Sequence, residues 1–80
     1  MNIQLIKGQF DPEDAIGIII QMIHVKIKYH ENKINRDSSE EDIKFRENKI
    51  KRLQKDLFDI KRAIDSNGIQ VAIESTIEIN

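Results

Sequence analysis

Residues 11–34, DPEDAIGIIIQMIHVKIKYHENKI, constrain the fold most, because they predict a long helix with more apolar surface than one partner can cover. One stripe has the three-and-four spacing of a helix face and consists of Ile16, Ile20, Ile23, Ile27 and Ile34. A second apolar set lies off that stripe and consists of Ile18, Ile19, Met22 and Val25. A helix that is apolar on more than one side must be covered on more than one side, so we expect it at the centre of the fold.

Capping residues mark the ends of two helices. Asp11 offers a side-chain oxygen as N-cap, and Pro12 fits the first helical position. The polar residues 35–39 predict a tight turn. Ser38, within this turn, and Glu41 have the spacing of a capping box, which predicts the start of a second helix. Gly68 supplies a left-handed stop. We therefore predict helices over residues 11–35 and 39–67.

The two helices share a heptad pattern, which predicts that they pack on each other. In the second helix, heptad position a is occupied by Ile43, Ile50, Leu57 and Ile64, and position d by Leu53 and Ile60. If the chain folds back near Ser38, three layers align, which pair Ile20 with Leu57, Ile27 with Ile50, and Ile34 with Ile43. The prediction is a long antiparallel, coiled-coil-like helical hairpin whose exact register stays open.

Both ends of the chain predict strands. Residues 2–10 place Ile3 and Leu5 on one side and Ile6 and Phe10 on the other, and residues 69–79 alternate strictly. The order β-α-α-β predicts an α+β fold in one domain, residues 1–80, with the hairpin packed on a small antiparallel sheet. We expect the last strand to be several residues longer than the first, to lie along the hairpin and to cover the second apolar side of the first helix.

The small size of the chain favours self-association. With 80 residues and no cysteine, the chain has neither a large core nor a disulfide to stabilise it. We therefore expect a homodimer that completes the fold, formed through sheet edges or through the first helix. Gly17 inside the first helix further suggests the close approach of another backbone.

Polar residues interrupt the helical seam at one layer. His30 and Arg46 occupy matching heptad positions, and a polar layer of this kind fixes the register of coiled coils. We assign His30, Arg46 and Glu47 to this seam, with Glu31 or Glu47 as the charge partner. The two residues also belong to an internal repeat, IKYHENKINR at 27–36 and IKFRENKIKR at 43–52, in which seven of ten residues are identical. The repeat fits either the same packing problem solved twice or a duplicated polar surface.

Enzymatic chemistry is not expected. His24 and His30 are six residues apart and cannot bind one metal ion together, and the chain has neither a glycine-rich phosphate loop nor a serine nucleophile motif. We predict no catalytic residues, no metal and no cofactor. The sequence also lacks a signal peptide pattern and a run of apolar residues long enough to span a membrane, which favours a cytoplasmic protein without membrane contact.

Charge is unevenly distributed along the chain. Residues 24–62 carry 12 basic and 8 acidic side chains, a net of +4, although the whole chain has a net charge of −1. This basic part of the hairpin offers possible phosphate or partner contacts at Lys44, Lys49, Lys51, Arg52 and Lys55. The four aromatic residues are not expected to cluster with these basic residues. The sequence favours a small homodimeric protein-interaction or scaffold module with an unknown protein partner, and the alternative is a nucleic-acid-associated accessory factor that uses the basic hairpin.

Overall fold

A computed structural model of the chain describes residues 1–68 and 70–80, and for Asn67 it describes the backbone only. The elements are β1 (Asn2–Phe10), α1 (Pro12–Lys33), α2 (Glu40–Asn67) and β2 (Val71–Glu78). The β-α-α-β order and the α+β class are confirmed: the strands form a small antiparallel sheet and the two helices pack against it. The predicted first residue of the last strand, Ile69, lies outside the described residues.

Helix α1 begins where the sequence predicts, but with a different cap. Asp11 is extended, and its carbonyl accepts the N–H of Ala15 at 2.9 Å. Its side chain caps no backbone N–H in the described structure, so that part of the prediction is wrong. The carboxylate instead accepts from Gln70 Nε2 at 3.5 Å, which links the helix start to the approach to β2. The helix ends at Lys33, two residues before the predicted end, because Ile34 is extended and Asn35 starts the turn by accepting the N–H of Asp37 at 2.9 Å.

The turn between the helices uses two serines differently. Ser39 is the N-cap of α2, and its Oγ accepts the N–H of Asp42 at 3.1 Å. The predicted capping box of Ser38 and Glu41 is therefore wrong, because the Oγ of Ser38 accepts the N–H of Asn35 at 3.1 Å inside the turn. Helix α2 ends as predicted at Gly68, whose φ of 61° is left-handed.

The sheet contains a β-bulge that the alternation in the sequence does not reveal. Ile3 pairs with Ile77 while Ile6 pairs with Ser75, so Leu5 is the extra residue in β1. The side chains of directly paired residues point to the same face of the sheet. The bulge therefore places Ile3 and Ile6 on one face, although a regular alternation along β1 would place them on opposite faces. Pairing runs along the whole of both strands, from Asn2 opposite Glu78 to Phe10 opposite Val71. The expectation that the last strand is several residues longer than the first is therefore wrong.

The buried core is small and the molecule is flat. Among the residues that the structure describes, the buried ones are Ala15, Ile23 and Ile64. The Cα radius of gyration is 15.4 Å and the extents are 45 × 35 × 14 Å, whereas a compact chain of this length has a radius of about 12 Å. A gap of about 430 Å³, lined by residues of α1, α2 and β2, remains between part of the hairpin and the sheet.

The sheet leaves one side of α1 open. Val25 is 69% exposed, so the expectation that β2 covers the second apolar side of α1 is wrong at this residue. Ile19 of the same set is half-buried and lines the same gap as Val71 and Ile73, so β2 covers only part of that side. One reason is length, because the eight residues of β2 reach about 26 Å, while the 22 residues of α1 extend over about 33 Å.

Candidate interaction surfaces

The most prominent surface is an apolar stripe on α1 whose centre lies opposite the heptad stripe, which we call the far stripe, although the ring of Tyr29 at its end also lies 5.7 Å from Arg46 of α2. Its members follow one another at spacings of four, three and four residues, and they are Ile18, Met22, Val25 and Tyr29. At about 100° per residue, their centre lies roughly 155° around the helix from the stripe that faces α2. Met22, Val25 and Tyr29 are exposed, and Ile18 is half-buried.

A groove of about 610 Å³ runs beside the far stripe, between α1 and β1. Ile6 and Phe10 form its strand wall, and Gly17, Ile18 and Met22 lie on the helix wall. A Cβ atom added to Gly17 would meet nothing within 4 Å. The close backbone approach predicted at Gly17 is therefore not made within the described chain.

The polar seam is a direct contact between the helices. Arg46 Nη1 lies 2.9 Å from His30 Nδ1, and because arginine only donates, the histidine nitrogen is the acceptor and carries no proton. The pKa of His30 is lowered, first by partial removal of the ring from water and then by the positive charges of Arg46, Lys26 and Lys49. In each predicted layer, such as that of Ile20 and Leu57, the two residue numbers add to 77. Those of His30 and Arg46 add to 76, so their contact differs from the predicted register by one residue.

The expected charge partners stand apart from this contact. Glu31 and Glu47 are both exposed. In residues 1–68 and 70–80, the ion pair within 4 Å is that of Lys55 with Asp59, so neither Glu31 nor Glu47 pairs with Arg46. The role of the His30–Arg46 layer in setting the helical register stays a prediction.

Aromatic rings and cations cluster near the same layer, contrary to the expectation from the sequence. The guanidinium carbon of Arg46 lies 5.7 Å from the ring centre of Tyr29 and 5.5 Å from that of Phe45. Lys33 lies 5.5 Å from the Tyr29 ring centre, and Lys49 lies 5.4 Å from the Phe45 ring centre. The signal was present in the internal repeat, because both copies place a lysine one helical turn after the aromatic residue.

Only two of the five residues predicted to contact phosphate lie in one pocket. Lys49 and Arg52 line one pocket of about 170 Å³ together with Lys26 and His30. Lys55 is 3.3 Å from Asp59, one turn further along α2. The two remaining side chains, those of Lys44 and Lys51, are exposed and do not line that pocket. The structure therefore brings together a smaller basic site that also includes Lys26, which is not one of the five predicted residues.

No protein-family model matches the chain, and no match is found among curated proteins or among solved structures. In the described part of the chain, no three His, Cys, Asp or Glu side chains are grouped closely enough to hold a metal ion. Neither described helix contains a segment long and apolar enough to cross a membrane. The candidates for function therefore rest on the geometry of two surfaces. One is the far stripe, and the other is the basic aromatic cluster, which consists of Tyr29, Phe45 and the cations near their rings, Lys33, Arg46 and Lys49.

Proposed function

We propose that this chain is a small, non-catalytic homodimer of the cytoplasm that serves as a protein-interaction or scaffold module. The observation that supports it is the accessible surface of 6584 Å². A compact monomer of 9.4 kDa has about 5,000 Å². The excess of roughly 1,600 Å² matches the share that one subunit buries in an intimate homodimer, which is about 1,000 to 2,500 Å².

The small core supports the same proposal. A chain of this size gains only about 3 to 5 kcal/mol from a single core, and here the described residues include just three buried side chains. The far stripe is the apolar surface that a second copy would remove from water. Apolar burial stabilises by about 25 cal/mol per Å², and this gain offsets the loss of freedom on association, which costs about 4 to 15 kcal/mol.

The sheet supplies the surface for a different protein. Exposed apolar side chains lie along the two strands and at their ends, namely Met1, Ile3, Leu5, Ile77 and Ile79. Large exposed apolar patches mark protein interaction sites, and a free strand edge, here that of the continuous strand β2, accepts an added strand. A dimer joined through its helices would present two such sheets, as a scaffold requires.

The dependence of thermal stability on protein concentration tests this proposal. If folding and pairing are coupled, mass action raises the melting temperature as the concentration rises over about a hundredfold range. Circular dichroism at 222 nm follows unfolding, and native mass spectrometry identifies the species present. A melting temperature that stays constant over this range, together with a monomeric mass, would exclude the proposal.

Binding of a single-stranded nucleic acid is the second candidate, and the basic aromatic cluster favours it. Exposed rings stack on bases while nearby cations contact phosphates, and here Arg46 lies between two exposed rings next to a pocket that contains Lys26, Lys49 and Arg52. This candidate uses the distal hairpin, where the basic residues are concentrated.

Phe45 and Phe58 provide a matched test of the second candidate. The two rings are 53% and 59% exposed, and each has a guanidinium about as close, 5.5 Å from Arg46 and 5.6 Å from Arg62. Fluorescence anisotropy of a labelled single-stranded oligonucleotide measures binding. We expect Phe45→Ala to weaken binding roughly fivefold or more while Phe58→Ala leaves it unchanged. Equal losses would exclude the basic aromatic cluster as the binding site, and a slope of log affinity against log salt near zero would exclude nucleic acid as the partner.

A further inference from the structure

We infer that the partner of the far stripe is a second copy of this chain, with its α1 packed antiparallel against the first. This inference rests on the proposed homodimer and specifies the surface and the orientation. The alternative mode joins the two copies through their sheet edges.

The shape of the far stripe suits pairing with itself. Residues spaced by four, three and four form the narrow seam that helices use when their side chains interdigitate. A twofold axis brings the same patch of each copy together, so an apolar stripe meets an apolar stripe and no second kind of surface is needed. Met22, Val25 and Tyr29 lose their exposure in this arrangement.

The charges of α1 select the antiparallel orientation. The first ten residues of α1, 12–21, carry Glu13 and Asp14 and no basic residue, a net of −2. The last twelve, 22–33, carry three lysines and one glutamate, a net of +2. Antiparallel packing places the acidic half of each helix beside the basic half of the other, and the helix dipoles also oppose each other favourably. Parallel packing would set like charges side by side.

The edge of β1 is less suited to joining two copies. It contains the bulge at Leu5, which interrupts the regular ladder that an added strand would need. The far stripe has no such interruption over residues 18–29 of α1. Strand β2 is continuous over Val71–Glu78, so pairing through the edge of β2 is the alternative that the experiments below test.

Single cysteines in a chain that has none test this geometry. The centre of the stripe lies between Met22 and Val25, so on antiparallel helices each of these residues is offset by only about 4.5 Å along the axis from its own copy. Ile18 and Tyr29 are offset from their own copies by about 16 Å, too far for a disulfide. We expect Met22→Cys and Val25→Cys to give disulfide-linked dimers under mild oxidation and Ile18→Cys and Tyr29→Cys to give at least tenfold less.

Each pattern of cross-linking has a separate meaning. Linkage at all four positions would mean parallel helices and would overturn the orientation. Linkage at none of them, in a wild-type protein that sedimentation shows to be a dimer, would overturn the inference in favour of sheet edges or another surface and leave the proposed homodimer standing. A monomeric wild-type protein would overturn both.

A charge on the far stripe supplies an independent readout. Val25→Lys should raise the dimer dissociation constant at least a hundredfold, because two lysines would meet in the apolar seam. Phe58→Lys is the matched control, since Phe58 is similarly exposed but lies on α2 and outside the stripe. Equal effects of the two variants on the dissociation constant would contradict the inference. If Val25→Lys does not fold, the cysteine series decides.

Discussion

Replacing Gly17 with alanine should stabilise the protein, although most substitutions inside a helix of a folded chain do the opposite. A Cβ at this position meets nothing within 4 Å, so the new methyl group needs no rearrangement. Alanine in a helix interior is favoured over glycine by about 0.5 to 1 kcal/mol, because glycine loses more backbone entropy on folding. For a domain of this size, that difference corresponds to a rise of about 2 to 8 °C in melting temperature.

Gly68 provides the control with the same chemical change. Its φ of 61° is left-handed and no neighbour lies within 4 Å of an added Cβ, so only backbone strain distinguishes the two positions. Gly68→Ala should therefore destabilise by about 1 to 2 kcal/mol. Urea unfolding followed by circular dichroism, with both variants at one protein concentration, measures the two signs. If Gly17→Ala also destabilised the protein, a second backbone would have to lie against Gly17 in the native assembly, and the antiparallel pairing centred on the far stripe would be wrong.

Three further predictions concern burial and protonation. Because the pKa of His30 is lowered in the folded protein, the unfolded chain takes up this proton first. The contribution of His30 is therefore complete above about pH 6.5 and lost as the pH falls below that. Urea midpoints at about pH 7.5 and pH 5 should differ more for the wild type than for His30→Gln, and equal differences would contradict the assigned protonation state. Ile64→Ala, at a side chain only 6% exposed, should cost about 2 to 5 kcal/mol and unfold much of the population, whereas Val25→Ala should change the stability of the isolated subunit by less than about 0.5 kcal/mol. Tyr29 is the only tyrosine of a chain without tryptophan, so acrylamide quenching of its fluorescence should decrease as rising protein concentration drives pairing, and constant quenching would mean that Tyr29 stays outside the interface.

The helical part of the fold could be predicted because its pattern repeats over many turns. The heptads of α1 and α2 agree with each other, and the predicted layers differ by only one residue number from the contact of His30 with Arg46. The helix ends were less predictable, because Ser38 and Ser39 are adjacent and chemically alike. Only the path of the turn decides that Ser39 caps α2 while Ser38 bonds to Asn35.

The sheet could be predicted in existence but not in register. Ile3 and Leu5 alternate correctly with each other, as do Ile6 and Phe10, so the sequence alone separates the pairs onto two faces. The bulge at Leu5 places Ile3 on the same face of the sheet as Ile6 and Phe10. The bulge depends on pairing with residues about 70 positions away in the chain. No local pattern contains that information.

The candidate surfaces were predictable where they depend on one helix. The far stripe follows from apolar spacing in α1, and the failure of β2 to cover it follows from lengths that the sequence overestimates. The position of Arg46 between Tyr29 and Phe45 depends on both helices, so it required the hairpin geometry. The internal repeat indicates part of this cluster, since each copy contains an aromatic residue, Tyr29 or Phe45, followed four positions later by a lysine.

Sedimentation equilibrium of the wild-type chain at micromolar concentration tests the proposed homodimer. One subunit leaves roughly 1,600 Å² more surface in water than a compact chain of its mass, and a second copy would cover part of it, including the far stripe. We expect a species of 18.8 kDa, twice the 9.4 kDa of the chain. A single species of 9.4 kDa with the α+β circular dichroism spectrum of a folded protein would contradict it.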